Sequence, residues 1–402
     1  MKVLLAIALV LSVTYVVSGL LPRIFSQKAI DYFDPAFLES VSRRARFSYA
    51  AAGLESIAAF LTLFAFAVGT FQKPLFAGIP VTEHVSPGKG CWIGTVLALQ
   101  AGLLLTVVSM PFRWFRGYYL EKAFGLSRLT LGGWFWEFAK GSVLNFAIYA
   151  VTGGTAAFLL ARFPRTWQYV LTLALFFGSI FFAYVYPTAI APVFDRFVPL
   201  KDQSLLSEVS ELAGKAGMQV EKVLVMEASR KTARANAYFT GIGNSKQVVL
   251  YDNLIANYSI EEIRLVLAHE LGHWKYGHIA KGIGFSVAGT LIITMLFSLI
   301  CAPLPDRFSV ANLRSVFLSL VLFSILASYV ATPAASILSR RHEVQADMFS
   351  LELTGDSNSF IAAMAGLARS NLGDVEPPPF IRWFAWTHPT TIERITMGEQ
   401  WK

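Results

Sequence analysis

Seven apolar stretches of membrane-spanning length constrain this chain more than anything else in it. About 20 apolar residues cross the hydrocarbon core of a bilayer as a helix. Runs of that kind lie near residues 3–21, 49–71, 92–112, 143–163, 169–190, 283–302 and 316–338. In lipid each backbone N–H and C=O must be satisfied within the segment, so such runs fold as helices. Charge content agrees: 15% of the 402 residues are Asp, Glu, Lys or Arg, where a soluble domain carries about 25%. The expected class is an all-α membrane protein with about seven transmembrane helices. Two more polar blocks interrupt the pattern. The chain therefore divides into a region of five spans (1–194), a polar segment (195–282), spans six and seven (283–338) and a C-terminal polar segment (339–402). The second polar block contains Pro377-Pro378-Pro379, which must be a loop.

Loop charges orient the bundle. The loop after span one carries Arg23, Lys28, Arg43, Arg44 and Arg46, and the third carries Arg113, Arg116, Lys122, Arg128 and Lys140. The second has only Lys73 and Lys89, and the fourth Arg162 and Arg165. By the positive-inside rule the first and third loops and both polar blocks face the cytosol. Met1-Lys2 before an apolar run could be a signal peptide. Cleavage would export the five basic residues that follow, so a retained anchor is expected. The formal charge of +8 sits beside apolar segments, which suits anionic headgroups and excludes nucleic acid as the expected partner. Cys91 and Cys301 alone supply neither a disulfide framework nor a cysteine metal site. Glu55, Gln100 and Asn145 fall within spans two, three and four; Glu55 either faces a cavity or partner, or snorkels to the interface.

The polar segment holds His269-Glu270-Leu271-Gly272-His273, an HExxH sequence. On a helix, positions i and i+4 share a face, so both imidazoles can reach one ion. Neutral imidazole suits Zn²⁺, and two such ligands leave room for a third and for water. Glu270 is placed to take a proton from that water. Ser259 and Glu262 read as the capping box that starts this helix. A third ligand is offered by Glu343, with Asp347 on the same helical face. This pair emerges from the apolar run of span seven. A second carboxylate in that position can accept the spare N–H of a ligating histidine and fix its tautomer. His278, about 140° round a continuous helix from His273, is expected at the surface and off the ion. His342 points about 100° from Glu343. His84 lies in a loop with nothing nearby to complete a site, and His388 is either a loop histidine or a transition-state group.

HELGHW at 269–274 and EVQAD at 343–347, in their membrane setting, resemble the integral-membrane type-1 CAAX prenyl proteases. The similarity continues through FGLSRLT at 124–130, APVFDRF at 191–197, NAYFTG closing 229–241, VLYDNL at 249–254, WTHP at 386–389 and Arg394. It weakens only over the first 45 residues or so. This resemblance implies seven helices forming a barrel-like, water-filled chamber, with a small α+β zinc-peptidase domain at its cytosolic end. It implies one Zn²⁺ per chain on His269, His273 and Glu343, with Glu270 as catalytic carboxylate and Asp347 as orienter or proton donor. It also implies His388 near the oxyanion, and Asn236, Ala237 and Arg394 on the substrate side. Asn236 and Ala237 would lie on an edge strand, and an extended peptide adding to such an edge is a sound mode of recognition.

The implied activity is zinc-dependent cleavage of peptide or protein substrates, prenylated or not, near the cytosolic membrane face, by a protein held in the lipid bilayer with no oligomer required. The end of the chain, Gly398-Glu399-Gln400-Trp401-Lys402, shows no lysine-based retrieval tail. A bacterial inner membrane is therefore favoured over an endoplasmic reticulum, and with it general cleavage of membrane proteins or peptides. The alternatives are a heat-shock membrane zinc protease, against which five spans before the motif argue, and a catalytically idle scaffold or channel.

Overall fold

A computed structural model describes residues 1–67, 86–220, 222–301 and 310–401 of the chain. His84 and Lys73 lie outside the described residues. The principal elements run α1 (Lys2–Leu20), α2 (Pro35–Ala67), α3 (Pro87–Trp114), α4 (Leu131–Arg162), α5 (Trp167–Val185), β1 (Phe197–Pro199), α6 (Gln203–Lys215) and β2 (Val223–Met226). They continue through β3 (Ala237–Thr240), β4 (Gln247–Tyr251), α7 (Ile260–Lys275), α8 (His278–Cys301), α9 (Val310–Val330), α10 (Thr332–Thr354), α11 (Ser357–Asn371), α12 (Pro379–Ala385) and α13 (Thr391–Gln400).

Among the described residues seven helices are long and apolar enough to cross a membrane, and one overlaps each of the seven expected runs. Their outward faces carry exposed Val10, Val107, Val143, Phe181 and Leu299, an arrangement that suits lipid and would be costly in water. Helices α3 and α4 continue beyond hydrocarbon length, and π-helical turns at Phe115–Leu120 and Tyr186–Ile190 re-aim the chain as it leaves spans three and five. One expectation is corrected. Span seven ends at Val330, not 338; Ala331 is the N-cap residue of the separate helix α10, and Pro333 sits in the first turn of that helix. A proline ring is accommodated in a first turn, where its missing N–H costs nothing, and not in a helix interior.

The bundle encloses two cavities of about 500 and 580 Å³. The first is walled mainly by apolar groups such as Ala101, Leu175 and Ile293. The second adds Glu55, Arg113, Asn145 and Thr332. Tyr149, Ser324 and Ser328 border both, so the two adjoin. Glu55 accepts from Arg113 Nε and Arg116 Nη1, each at 3.2 Å, tying span two to span three.

Beside the bundle lies a four-stranded sheet of order β1-β2-β4-β3, antiparallel except for β2 with β4. Its core is a separate cluster in which Leu250, Leu254, Ile263, Leu267 and Leu271 are buried with Leu212 of α6. Strand β3 is therefore an edge, with one side on β4 and the other turned toward α7.

Candidate active site

Helix α7 begins as its sequence dictates. Ser259 accepts from Glu262 N–H, and the Glu262 carboxylate accepts from Ser259 N–H at 2.8 Å, a reciprocal cap that stabilises a helix by about 1 kcal/mol. Ile263, Leu265, Val266, Leu267 and Ala268 are then buried, so the helix is pinned before the motif is reached. At Gly272 it crosses α10 closely enough that a Cβ would stand 3.0 Å from the Ala346 Cα. A side chain there would press on the α10 backbone, so glycine favours this close approach, which helps to set Glu343 beside the two histidines.

His269 Nε2 and His273 Nε2 are 3.0 Å apart. Glu343 Oε2 lies 3.4 Å from the first and Glu343 Oε1 3.5 Å from the second. All three ligand atoms fit within 4.8 Å of one another. Two imidazole nitrogens and one carboxylate gathered this closely are a donor set that could hold a metal ion. His388 Nε2 stands 3.4 Å from Glu343 Oε2 on a side chain that is 55% exposed.

Both imidazoles turn their other nitrogen outward to a partner. His269 Nδ1 lies 2.8 Å from Asp347 Oδ1. Asp347 is fully buried and accepts from Arg394 Nε at 2.8 Å and Nη2 at 2.5 Å. Arg394, expected on the substrate side, thus commits two donors to Asp347. Burial disfavours the Asp347 carboxylate, yet Arg394 and His269 outweigh it and hold its pKa down at about 2. Glu343 behaves alike: its burial is overcome by His269, His388 and His273, and its pKa falls to about 2. For His269 the desolvation cost of the charged ring is exceeded by hydrogen bonds with Asp347 and Glu343, which lift its pKa to about 10. His273 goes the other way, lowered to about 3 by burial and by His269.

The expectation that His278 lies at the surface is overturned, while its place outside the His269–His273–Glu343 group stands. It is buried, with Nδ1 2.9 Å from His273 Nδ1 and Nε2 3.1 Å from Gln345 Oε1. The helical-wheel argument fails because the helix does not continue: α7 ends at Lys275 and Gly277 takes φ +63°, a left-handed turn that glycine adopts without strain. His342 stacks on the same ring, centroids 4.1 Å apart and planes 10° from parallel.

Glu270 faces the sheet. Its Oε2 accepts from Phe239 N–H at 3.1 Å, and burial pushes its pKa up to about 7. Phe239 stacks on Trp274 at 4.4 Å, with Lys246 Nζ 4.2 Å over the indole. Asn236 C=O accepts from Tyr251 N–H at 3.0 Å, so by antiparallel alternation the backbone groups of Ala237 and Phe239 point away from β4. They point toward the free edge, where Glu270 already holds one of them. A cavity of about 340 Å³ opens there, lined by Phe239, Glu270, His273, Ser339, His342 and Glu343.

Comparison with known proteins identifies the family and the fold. The model of peptidase family M48 matches residues 199–402, and that of the CAAX prenyl protease N-terminal region, five membrane helices, matches residues 40–196. CAAX prenyl protease 1 of Saccharomyces cerevisiae is 30% identical over 353 residues, covering 80% of this chain and 75% of that protein. The Bacillus subtilis uncharacterized metalloprotease YhfN is 30% identical over 315 residues, 77% and 73% of the respective chains. The crystal structure of S. mikatae Ste24p has the same fold, with a TM-score of 0.81 at 24% identity over 98% of this chain and 96% of that one. A convergent His-His-Glu set at the edge of a seven-span bundle, and a family match across the half of the chain that holds it, lead to one conclusion: this chain belongs to peptidase family M48 and is a multi-pass membrane metallopeptidase.

Proposed function

We propose that the chain is a zinc endopeptidase that cleaves CAAX-type, lipid-modified C-terminal peptides at the cytosolic face of its membrane. The observation that carries the chemistry is the adjacency of the His269–His273–Glu343 set to Glu270 and the free edge of β3. His269, His273 and Glu343 would hold one Zn²⁺, which when bound supplies the Lewis acidity that activates water and polarises a scissile carbonyl near neutral pH. Asn236 and Ala237 lie where an extended substrate would align along the strand edge. Glu270 takes the proton from the attacking water and returns it to the leaving nitrogen. Asp347, held ionised by Arg394, orients His269. This favours the orienting role over proton donation, since a carboxylate with a pKa near 2 has no proton to give at neutral pH. His388 faces the developing oxyanion. Residues 195–282 and 339–402 would supply catalysis, and the spans would admit substrate.

The lipid-modified class is supported by the name of the yeast relative and by the apolar cavity in the bundle. Helix α10 links that cavity system to the site. Thr332 borders the polar cavity and Glu343 the catalytic one, about 16 Å apart along the helix. The purified protein should contain about one zinc per chain and cleave a farnesylated CAAX peptide in preference to its unmodified counterpart. Equal cleavage of both would replace the substrate class with membrane peptides in general. Absence of hydrolysis with zinc bound would leave an idle scaffold. The cytosolic placement is supported by the alternating loop charges. Single cysteines at Lys201 and Lys89, in a background lacking Cys91 and Cys301, should label from opposite sides of the membrane.

A further inference from the structure

The two histidines of the motif are held by different chemistry. His269 leans on an ionised carboxylate, whereas His273 leans on another imidazole. The geometry points to His278 as the residue that positions His273 for metal binding, with Gln345 fixing its tautomer; this rests on the ligand set proposed above. The argument follows the hydrogens. Gln345 Oε1 can only accept, so His278 Nε2, 3.1 Å away, carries the N–H. A neutral imidazole has one N–H, so His278 Nδ1 is an acceptor. His273 Nδ1, 2.9 Å from it, is then the donor, and His273 Nε2 presents its lone pair beside His269 Nε2 and Glu343. The wrong tautomer of His273 would aim an N–H at the ion.

The surroundings keep this relay in register. His278 is buried, and His342 lies flat against it at 4.1 Å. The turn at Gly277 brings the ring back under His273, which an uninterrupted helix could not do. Gln345 and His342 flank Glu343 on α10. One short segment of α10 thus supplies the carboxylate ligand together with both residues that fix the relay imidazole. His278 is also the first residue of span six, so the orientation of one ligand is anchored at the start of a membrane helix.

Outer partners of ligating histidines typically govern metal affinity by 10–100-fold. A neutral acceptor is weaker than a charged one, so the lower end is expected here. The full-length protein in detergent, titrated with zinc against a chromophoric chelator, gives the readout. His278→Ala should weaken zinc binding about tenfold. His278→Asn places Oδ1 near the position of Nδ1 and should recover most of that loss. Gln345→Ala should show a smaller weakening. The visible spectrum of the cobalt-loaded protein should shift in His278→Ala and return toward the parental form in His278→Asn, a recovery that a purely space-filling role would not produce. Parental affinity and spectrum in His278→Ala, or equal losses in the Ala and Asn variants, would overturn the inference. If His278→Ala does not fold, Gln345→Ala decides, since it leaves every imidazole in place: unchanged affinity there overturns it. His273→Ala separates the two levels. If that variant keeps parental affinity, the ligand set itself is wrong; if it loses the metal while His278→Ala does not, only the positioning role falls.

Discussion

The junction of α7 and α10 and the interior of the helix bundle treat polar groups in opposite ways. At the junction, His269, His273, Asp347 and Arg394 each have a partner within hydrogen-bond distance, on elements locked by buried apolar contacts. In the bundle, polar side chains border open volume. Ser324, Ser328 and Tyr149 face two adjoining cavities, and Gln100 Oε1 finds no hydrogen-bond partner among the described residues. The first arrangement suits chemistry, because preorganised groups need no rearrangement in the transition state. The second suits passage, because polar groups that border open volume can exchange partners with water or with a substrate. The difference teaches that this fold separates precision from capacity, and that changes at the two places should fail in different currencies.

The largest expected effect tests the precise region. Glu270→Gln keeps shape and removes basicity, so kcat should fall by about 10²–10⁴-fold with zinc content unchanged. Near-normal turnover with zinc bound would remove Glu270 from its role. The same residue sets a pH dependence. Its carboxylate must be unprotonated to accept a proton, and burial raises its pKa to about 7. Activity should therefore decline as pH falls through that value; a bound dication favours the carboxylate and moves the decline lower. A kcat/KM profile with no acid limb above about pH 5 would contradict this.

Next in size is the pair behind His269. Asp347→Asn should weaken zinc affinity by about 10–100-fold, measurable by chelator competition. Arg394→Ala leaves a buried carboxylate without its cation, a change that costs about 3–5 kcal/mol, so its thermal stability should drop as well. If Asp347→Asn alters neither affinity nor rate, the contrast between junction and bundle loses its main support.

The smallest effect belongs to the bundle. Ala101→Leu adds bulk to the wall of the apolar cavity. It should raise KM for a farnesylated peptide by a few-fold while leaving zinc affinity and kcat for an unmodified peptide alone. A loss of zinc in that variant would show that the two regions are not independent.

The sequence made some of this legible and concealed the rest for physical reasons. The number of spans was readable because hydropathy and length report directly on lipid. The α7 start was readable because Ser259 and Glu262 cap locally. The spacing of His269, His273, Glu343 and Asp347 was readable because helical faces repeat every three to four residues. The end of span seven was misplaced, since the apolar run continues past Ala331 although Pro333 starts a new helix. His278 was misread because the wheel assumes an unbroken helix, and Gly277 breaks it. The bond between Arg394 and Asp347 joins residues far apart in sequence, and no local pattern reports such a pairing.

The two halves of the ligand set lie on either side of two membrane helices, and this has a consequence in time. During synthesis the imidazoles of α7 leave the ribosome first. Glu343 follows only after α8 and α9 have been made, several seconds later at about 5–20 residues per second. Arg394, which steadies Asp347, follows later still. A nascent or stalled chain therefore carries two histidines and no third ligand. Under the proposed assignment, the hydrolase is switched on by completing its own topology, and a chain that inserts its last hairpin wrongly is a chain that cannot cut its neighbours.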